Sequence, residues 1–231
     1  MSNFLSGITR SIRRPFNRAY ALKRLREYHS RPRSPEEIVN WAMNFGGGGH
    51  YRIKTLQIPE EITALAEAVR KLQPKIIVEI GTASGGTLLI WSSIASEKVI
   101  SCDLQDMTVR KELFEALPPP RSKCRVVLLS GDSHDPSLVQ RMEEELAGRK
   151  ADFLFIDGDH TEAGVTADFN DYRHLVRRGG IIAFHDIVAR QPLADNKVHL
   201  LWQKIKMQND VQELIADPEQ SGFGIGIIRV R

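Results

Sequence analysis

Five short apolar runs recur through the middle of the chain: "KIIVEI" (75–80), "KVISCD" (98–103), "CRVVLLSGD" (124–132), "ADFLFID" (151–157) and "GGIIAFHD" (179–186). Each is too short for a buried helix and is apolar without alternation, the pattern of a strand covered on both faces. Between them lie stretches with helical periodicity. Residues 60–72 put Ile62, Leu65, Ala66, Val69 and Leu72 on one face. Helices are likewise predicted over 85–96, 107–117, 136–147 and 161–177, with Pro118-Pro119-Pro120 as a break. Strands alternating with amphipathic helices give a mostly parallel sheet, and right-handed crossovers make it doubly wound. A helix over 197–208 and strands near 211–215 and 223–230 complete seven strands. No helix separates the last two, which leaves an antiparallel hairpin or a side-by-side pairing through a loop. The fold class is therefore α/β, a Rossmann-like seven-stranded sheet, with a basic helical arm before it.

The arm sets the charge distribution. Residues 1–33 carry nine Lys or Arg against the single acid Glu27, a net +8, whereas the whole 231-residue chain carries +3. The body is therefore acidic. Ile8, Ile12, Phe16 and Tyr20 recur every four residues and define one helical stripe. A basic amphipathic helix can contact an anionic membrane surface, or dock on the body or on a second subunit, which makes a homodimer reasonable. Aromatic side chains are not interleaved for base stacking, so no nucleic acid is expected. Ser34-Pro35-Glu36-Glu37 reads as a helix start. The four glycines of "FGGGGHY" (45–51) read as a hinge or lid. The division expected is a helical arm and glycine-rich lid over 1–55 and a catalytic domain over 56–231. No apolar run reaches a membrane span, no secretory h-region follows the start, and the two cysteines, Cys102 and Cys124, lie too far apart along neighbouring strands to pair. A reducing cytoplasm is expected, with the arm as the only candidate for peripheral membrane contact.

Ligands of open α/β sheets bind at the carboxyl ends of the strands. The first run delivers Glu79 and the loop Gly81-Thr82-Ala83-Ser84-Gly85-Gly86, where glycines let backbone approach a ligand at a helix N-terminus. The spacing is neither the dinucleotide fingerprint nor a Walker loop. The second run ends in Asp103, placed to accept ribose hydroxyls. The third ends in Gly131-Asp132-Ser133, small and polar enough for an adenine edge. The fourth and fifth end in Asp157-Gly158-Asp159-His160 and His185-Asp186. Asp157, His185 and Asp186 on neighbouring exits form an oxygen-rich set suited to Mg²⁺ or Mn²⁺.

With these residues in place, the chain resembles the class I S-adenosylmethionine-dependent methyltransferases. "VEIGTASGGT" is similar to their first motif, and Asp103 to their ribose-binding acid. "IDGDH" followed by "GGIIAFHDI" resembles the subgroup of macrocin-type sugar O-methyltransferases and the cephalosporin hydroxylase family, and more distantly catechol O-methyltransferase. The resemblance implies S-adenosylmethionine as cofactor, held by Glu79, Gly81, Thr82, Ser84, Gly85, Asp103, Gly131, Asp132, Ser133 and Asp157. It implies a divalent metal on Asp157, His185 and Asp186. It also implies methyl transfer to a hydroxyl of a sugar, glycan precursor or secondary metabolite. Asp157 and His160 are the expected catalytic pair, with His160 as base because an imidazole titrates near neutrality. His185 stands where those relatives carry an acid. Imidazole suits Mg²⁺ less well than carboxylate, so Mn²⁺ or no metal stays open. Two rivals also stay open: a nucleotide-sugar glycosyltransferase using Asp157-Gly158-Asp159 as its metal motif, and a non-catalytic S-adenosylmethionine-binding or membrane-surface protein.

Overall fold

A computed structural model describes residues 2–231, with side chains from Pro15 onward. Its seven strands are β1 (Ile76–Ile80), β2 (Lys98–Asp103), β3 (Arg125–Ser130), β4 (Ala151–Ile156), β5 (Val176–His185), β6 (Val211–Leu214) and β7 (Ile225–Arg229). They form one sheet in the order β3-β2-β1-β4-β5-β7-β6. The first five are parallel, in a register that sets Val78 beside Ile100 and Leu154. β7 runs antiparallel to both β5 and β6, so the last two strands form a hairpin whose second arm lies inside the sheet.

The helices are α1 (Ser2–Tyr28), α2 (Pro35–Asn44), α3 (Pro59–Lys71), α4 (Gly86–Ile94), α5 (Lys111–Glu115), α6 (Pro136–Leu146), α7 (Glu162–Tyr172) and α8 (Val198–Lys206). Successive strand residues point to opposite faces. Ile77, Val99, Phe153 and Phe155 pack with side chains of α1 to α5. Ile76, Val78, Ile80, Ile100 and Leu154 pack with those of α6 to α8. The helix start expected at Ser34-Pro35-Glu36-Glu37 is present, and it is closed as a capping box: the Glu37 amide donates to Ser34 Oγ at 3.3 Å and the Ser34 amide to Glu37 Oε2 at 3.0 Å.

Three expectations shift. The helix predicted over 107–117 is a five-residue α5 behind a 3₁₀ turn at Thr108–Arg110. The helix predicted over 161–177 ends at Tyr172, because Val176 already pairs with Ala151 and β5 then changes register before Ile181 meets Phe153. On α1, the docked face is Ala21, Leu25 and Tyr28, all buried, while Phe16 is 73 % exposed and Tyr20 is exposed. Burial, not the four-residue stripe, decides which side faces the body. Ile8 and Ile12 lie outside the described side chains. Tyr28 Oη and Ser93 Oγ lie 2.5 Å apart, and the Arg24 guanidinium sits 4.1 Å over the Trp41 ring. The second half of the arm thus belongs to the core.

The glycine run is a tight turn. Gly46 bridges Ile53, and Gly49–Tyr51 form a 3₁₀ turn. Gly47 has φ +96°, and a Cβ there would strike the Tyr51 carbonyl. Gly48 and Gly49 lie against Asn17 of α1 and Gly46 against Tyr20. None of the four borders the site cavity, one wall of which includes Arg52 and Lys54 to Gln57 just after them.

Candidate active site

The carboxyl ends of β1, β4 and β5 open on a cavity of about 570 Å³. Its donor-side wall is the loop after β1. Gly81 has φ +95°, and any Cβ would collide with the Asp157 carbonyl, so the β1 and β4 tips touch backbone to backbone. Gly86 makes a similar close approach further along the loop, where a Cβ would enter the backbone of Lys54–Thr55. Gly81, Thr82, Ala83, Ser84, Gly86 and Thr87 all line the cavity. Gly85 caps α4 in the left-handed conformation at φ +77°.

Beneath this loop Glu79 is fully buried. Ser101 Oγ donates to Glu79 Oε2 at 2.5 Å and lies 2.5 Å from Thr82 Oγ1. Burial pushes the Glu79 carboxyl up to about 7, against the pull of its hydrogen bonds. Glu79 therefore supports the loop from below. Asp103 accepts the Ala83 amide at 2.6 Å and the Gln105 amide at 2.7 Å, which fastens the β2 tip to the same loop. Asp103, Gly131, Asp132 and Ser133 do not border the cavity. They stand on the flank formed by the neighbouring β2 and β3 ends, where the Ser133 carbonyl accepts Tyr172 Oη at 2.7 Å.

The cavity floor carries the charge. Asp157 Oδ1 lies 3.0 Å from His185 Nδ1 and 3.2 Å from His160 Nε2, and Asp157 Oδ2 accepts Gln57 Nε2 at 3.0 Å. Asp186, at φ +64°, lies 3.5 Å from His185 Nδ1 and 3.8 Å from His160 Nδ1, and accepts Asn196 Nδ2 at 2.6 Å. Burial alone would raise the Asp157 carboxyl, but the two imidazoles hold it well below the usual carboxylate range. The same contacts raise His160, and they lift His185 to about 8 although burial opposes it. The two imidazoles differ in access. The His160 side chain is 38 % exposed, whereas that of His185 is 5 % exposed and its Nε2 is buried without a partner.

Asp157, His160 and Asp186 each place one ligand atom within 4.8 Å of the others. Two carboxylates and an imidazole that share an edge fit a hard or borderline divalent cation. Asp159 does not join them: its Oδ1 accepts the Thr161 amide at 2.8 Å at the start of α7. Asp159 also does not border the cavity, so the Asp157-Gly158-Asp159 pair of the glycosyltransferase reading is not brought together there.

Gln57 and Asn196 join the site without having stood out in the sequence, beside Thr87, the last residue of the first motif. Gln57 had a signal, since Ile53, Thr55 and Gln57 are buried in alternation with exposed Arg52, Lys54 and Leu56. Asn196 had none, for it reaches Asp186 from an irregular loop.

The sheet order, the glycine loop at the β1 tip and the acids at the β4 and β5 tips define a class I methyltransferase fold. Residues 48–209, more than half of the chain, match the family described as Rhamnosyl O-methyltransferase/CmcI, and the chain belongs to that family. It is similar to the rhamnosyl O-methyltransferase of Mycobacterium tuberculosis (strain H37Rv), 27 % identical over 123 residues, which are 52 % of this chain and 49 % of that protein. The match thus spans about half the length of that relative. The fold is also that of an O-methyltransferase from Bacillus cereus solved in complex with SAH, with a TM-score of 0.58, 18 % identity and coverage of 85 % of this chain and 90 % of that one. MycE, from the mycinamycin biosynthetic pathway, solved with Mg, SAH and mycinamycin VI, aligns with a TM-score of 0.56 and 17 % identity over 87 % of this chain and 55 % of that one.

Proposed function

We propose that the protein transfers a methyl group from S-adenosylmethionine to a hydroxyl of a saccharide or saccharide-bearing acceptor. One observation carries this reading. The charged floor of Asp157, His160, His185 and Asp186 is continuous with the glycine loop at the β1 tip, so a donor on the loop would face an acceptor on the floor. The family and its saccharide-modifying relatives support the same chemistry.

In-line displacement at a sulfonium carbon needs alignment above all, and orientation supplies up to about 7–11 kcal/mol. Gly81, Thr82, Ser84 and Gly85 seat the donor, with Glu79 beneath and Asp103 and Gly131 to Ser133 on the ribose and adenine flank. His160 is the imidazole that reaches the cavity, and it accepts the hydroxyl proton. His185 is shut away from solvent and holds Asp157. Mg²⁺ or Mn²⁺ would sit on the Asp157 and Asp186 carboxylates, with His160 at the edge of that set and His185, the imidazole expected from the sequence, outside it behind Asp157; a cation there lowers the pKa of a bound hydroxyl. Residues 56–231 carry this chemistry. The arm from Ala21 to Tyr28 packs on it, and the basic residues of 1–33 are the candidate contact for an anionic membrane. No helix of the described residues is long and apolar enough to cross one.

Calorimetry with S-adenosylhomocysteine, followed by transfer of labelled methyl from S-adenosylmethionine to a panel of rhamnosides and other glycosides, tests the reading. Micromolar binding and label in the glycoside are expected. Failure to bind S-adenosylhomocysteine would refute it.

A further inference from the structure

Between the glycine turn and α3 the chain runs without helix from Arg52 to Gln57. Ile53, Thr55 and Gln57 are buried, at 1 %, 6 % and 6 % exposure, while Arg52 and Lys54 are exposed and border the site cavity. Side chains two apart on one side of such a segment stand about 6–7 Å from each other. The segment is held at both ends. The Ile53 amide donates to the Gly46 carbonyl at 3.2 Å, and the Lys54–Thr55 backbone packs on Gly86 so closely that no Cβ could fit.

Neither cation has an acidic partner among the described ion pairs, whereas Arg18 and Arg24 of the arm pair with Glu112 and Glu27. Two adjacent, unneutralised cations on a cavity wall repel each other and call for an anion. The methyl donor does not match them. Its amino-acid end is a zwitterion and its sulfonium is itself positive. A neutral glycoside would leave both charges unused.

We propose that Arg52 and Lys54 form an anion-recognising subsite, and that the acceptor is an acidic saccharide with a carboxylate or phosphate near the hydroxyl that is methylated. This rests on the methyltransferase reading above and names its acceptor class. Arginine and lysine at one wall can share such an anion, the guanidinium through a bidentate pair and the ammonium as a point charge.

The test uses the full chain loaded with S-adenosylhomocysteine, in chelator so that no anion binds through a cation. Calorimetry compares methyl glucuronide, glucose 1-phosphate and methyl glucoside on the wild type and on Arg52→Ala/Lys54→Ala. At least one acidic sugar is expected to bind wild type about tenfold or more tighter than the neutral glucoside, and the double variant to lose that preference. S-adenosylhomocysteine affinity is expected to stay the same in both. Equal affinities for the three sugars, no binding of either anion, or a preference that survives the double substitution overturns the proposal. Phosphatidylglycerol vesicles form a separate arm. If the double variant loses vesicle binding while its sugar preference is unchanged, the anion is a lipid headgroup and the acidic-acceptor assignment falls. Loss of S-adenosylhomocysteine binding by wild type would instead strike the methyltransferase reading, and the sugar preference is then read on the unloaded chain.

Discussion

His185 Nδ1 lies 3.0 Å from Asp157 Oδ1, so a buried imidazole at the end of β5 ties down a carboxylate at the end of β4. In the methyltransferases that the sequence resembles, an acid occupies the His185 position. Here a positive partner faces Asp157 and Asp186 in place of a third negative one.

Replacing His185 tests what that exchange does. His185→Ala takes away the main partner of half-buried Asp157 while His160 and Gln57 remain, and should cost about 1–3 kcal/mol of stability. His185→Glu would crowd three acids and should make the protein depend on added Mg²⁺ or Mn²⁺ for its thermal stability. Melting curves with and without each cation check both outcomes. A His185→Glu protein whose melting temperature ignores both cations would remove the metal assignment.

His160 should separate chemistry from binding. His160→Gln is expected to lower turnover by about 10²–10⁴-fold, the range for a lost general base, with S-adenosylhomocysteine affinity nearly unchanged. Mn²⁺ bound by the variant, followed by electron paramagnetic resonance, should persist. Loss of the Mn²⁺ signal would make His160 a ligand and remove it as the base.

Glu79 gives a pH dependence with a definite sign. Its folded pKa of about 7 lies above the ordinary value of 4.5, so the folded protein holds a proton that the unfolded chain has released. Stability should therefore be greatest below about pH 4.5 on this account, fall through the interval up to about 7, and level off above it. Glu79→Gln keeps an acceptor for Ser101 and removes the titration. The variant should gain on the order of 2 kcal/mol relative to wild type between pH 5 and pH 8, read by denaturant melts at the two values.

Gly81 should tolerate no side chain. At φ +95°, with the Asp157 carbonyl in the place of a Cβ, Gly81→Ala must separate the β1 and β4 tips. A loss of about 2 kcal/mol or more is expected, with S-adenosylhomocysteine binding abolished. Differential scanning calorimetry and ligand titration read the two effects. Wild-type affinity in the variant would show that the contact is not needed to form the donor site.

Much of this architecture is legible because it follows from local pattern. The apolar runs around Val78, Ile100, Val127, Leu154 and Ile182 could only be covered strands, and strand ends place Asp103, Asp157 and Asp186 without further information. Other features depend on contacts distant in sequence. Gln57 reaches Asp157 across 100 positions, and no local pattern joins them. The arm stripe misleads for the same reason, since Ala21 and Leu25 are buried in the shared core and not by their own spacing. The glycine run reads as a lid because four glycines signal freedom, whereas their turn beside Asn17 and the Tyr51 carbonyl, away from the cavity lining, is set by contacts that the run itself does not show.

The hairpin formed by β6 and β7 has a consequence for how the molecule is made. β6 emerges from the ribosome before β7, yet it can join the sheet only after β7 has slotted in against β5. Until then the nascent chain presents β5 as an open edge, with unpaired amides and carbonyls next to His185. Synthesis therefore closes the β5 edge beside His185 only once β7 has emerged. A ribosome stalled before Ile225 would hold a molecule with that edge open and prone to pair with its neighbours.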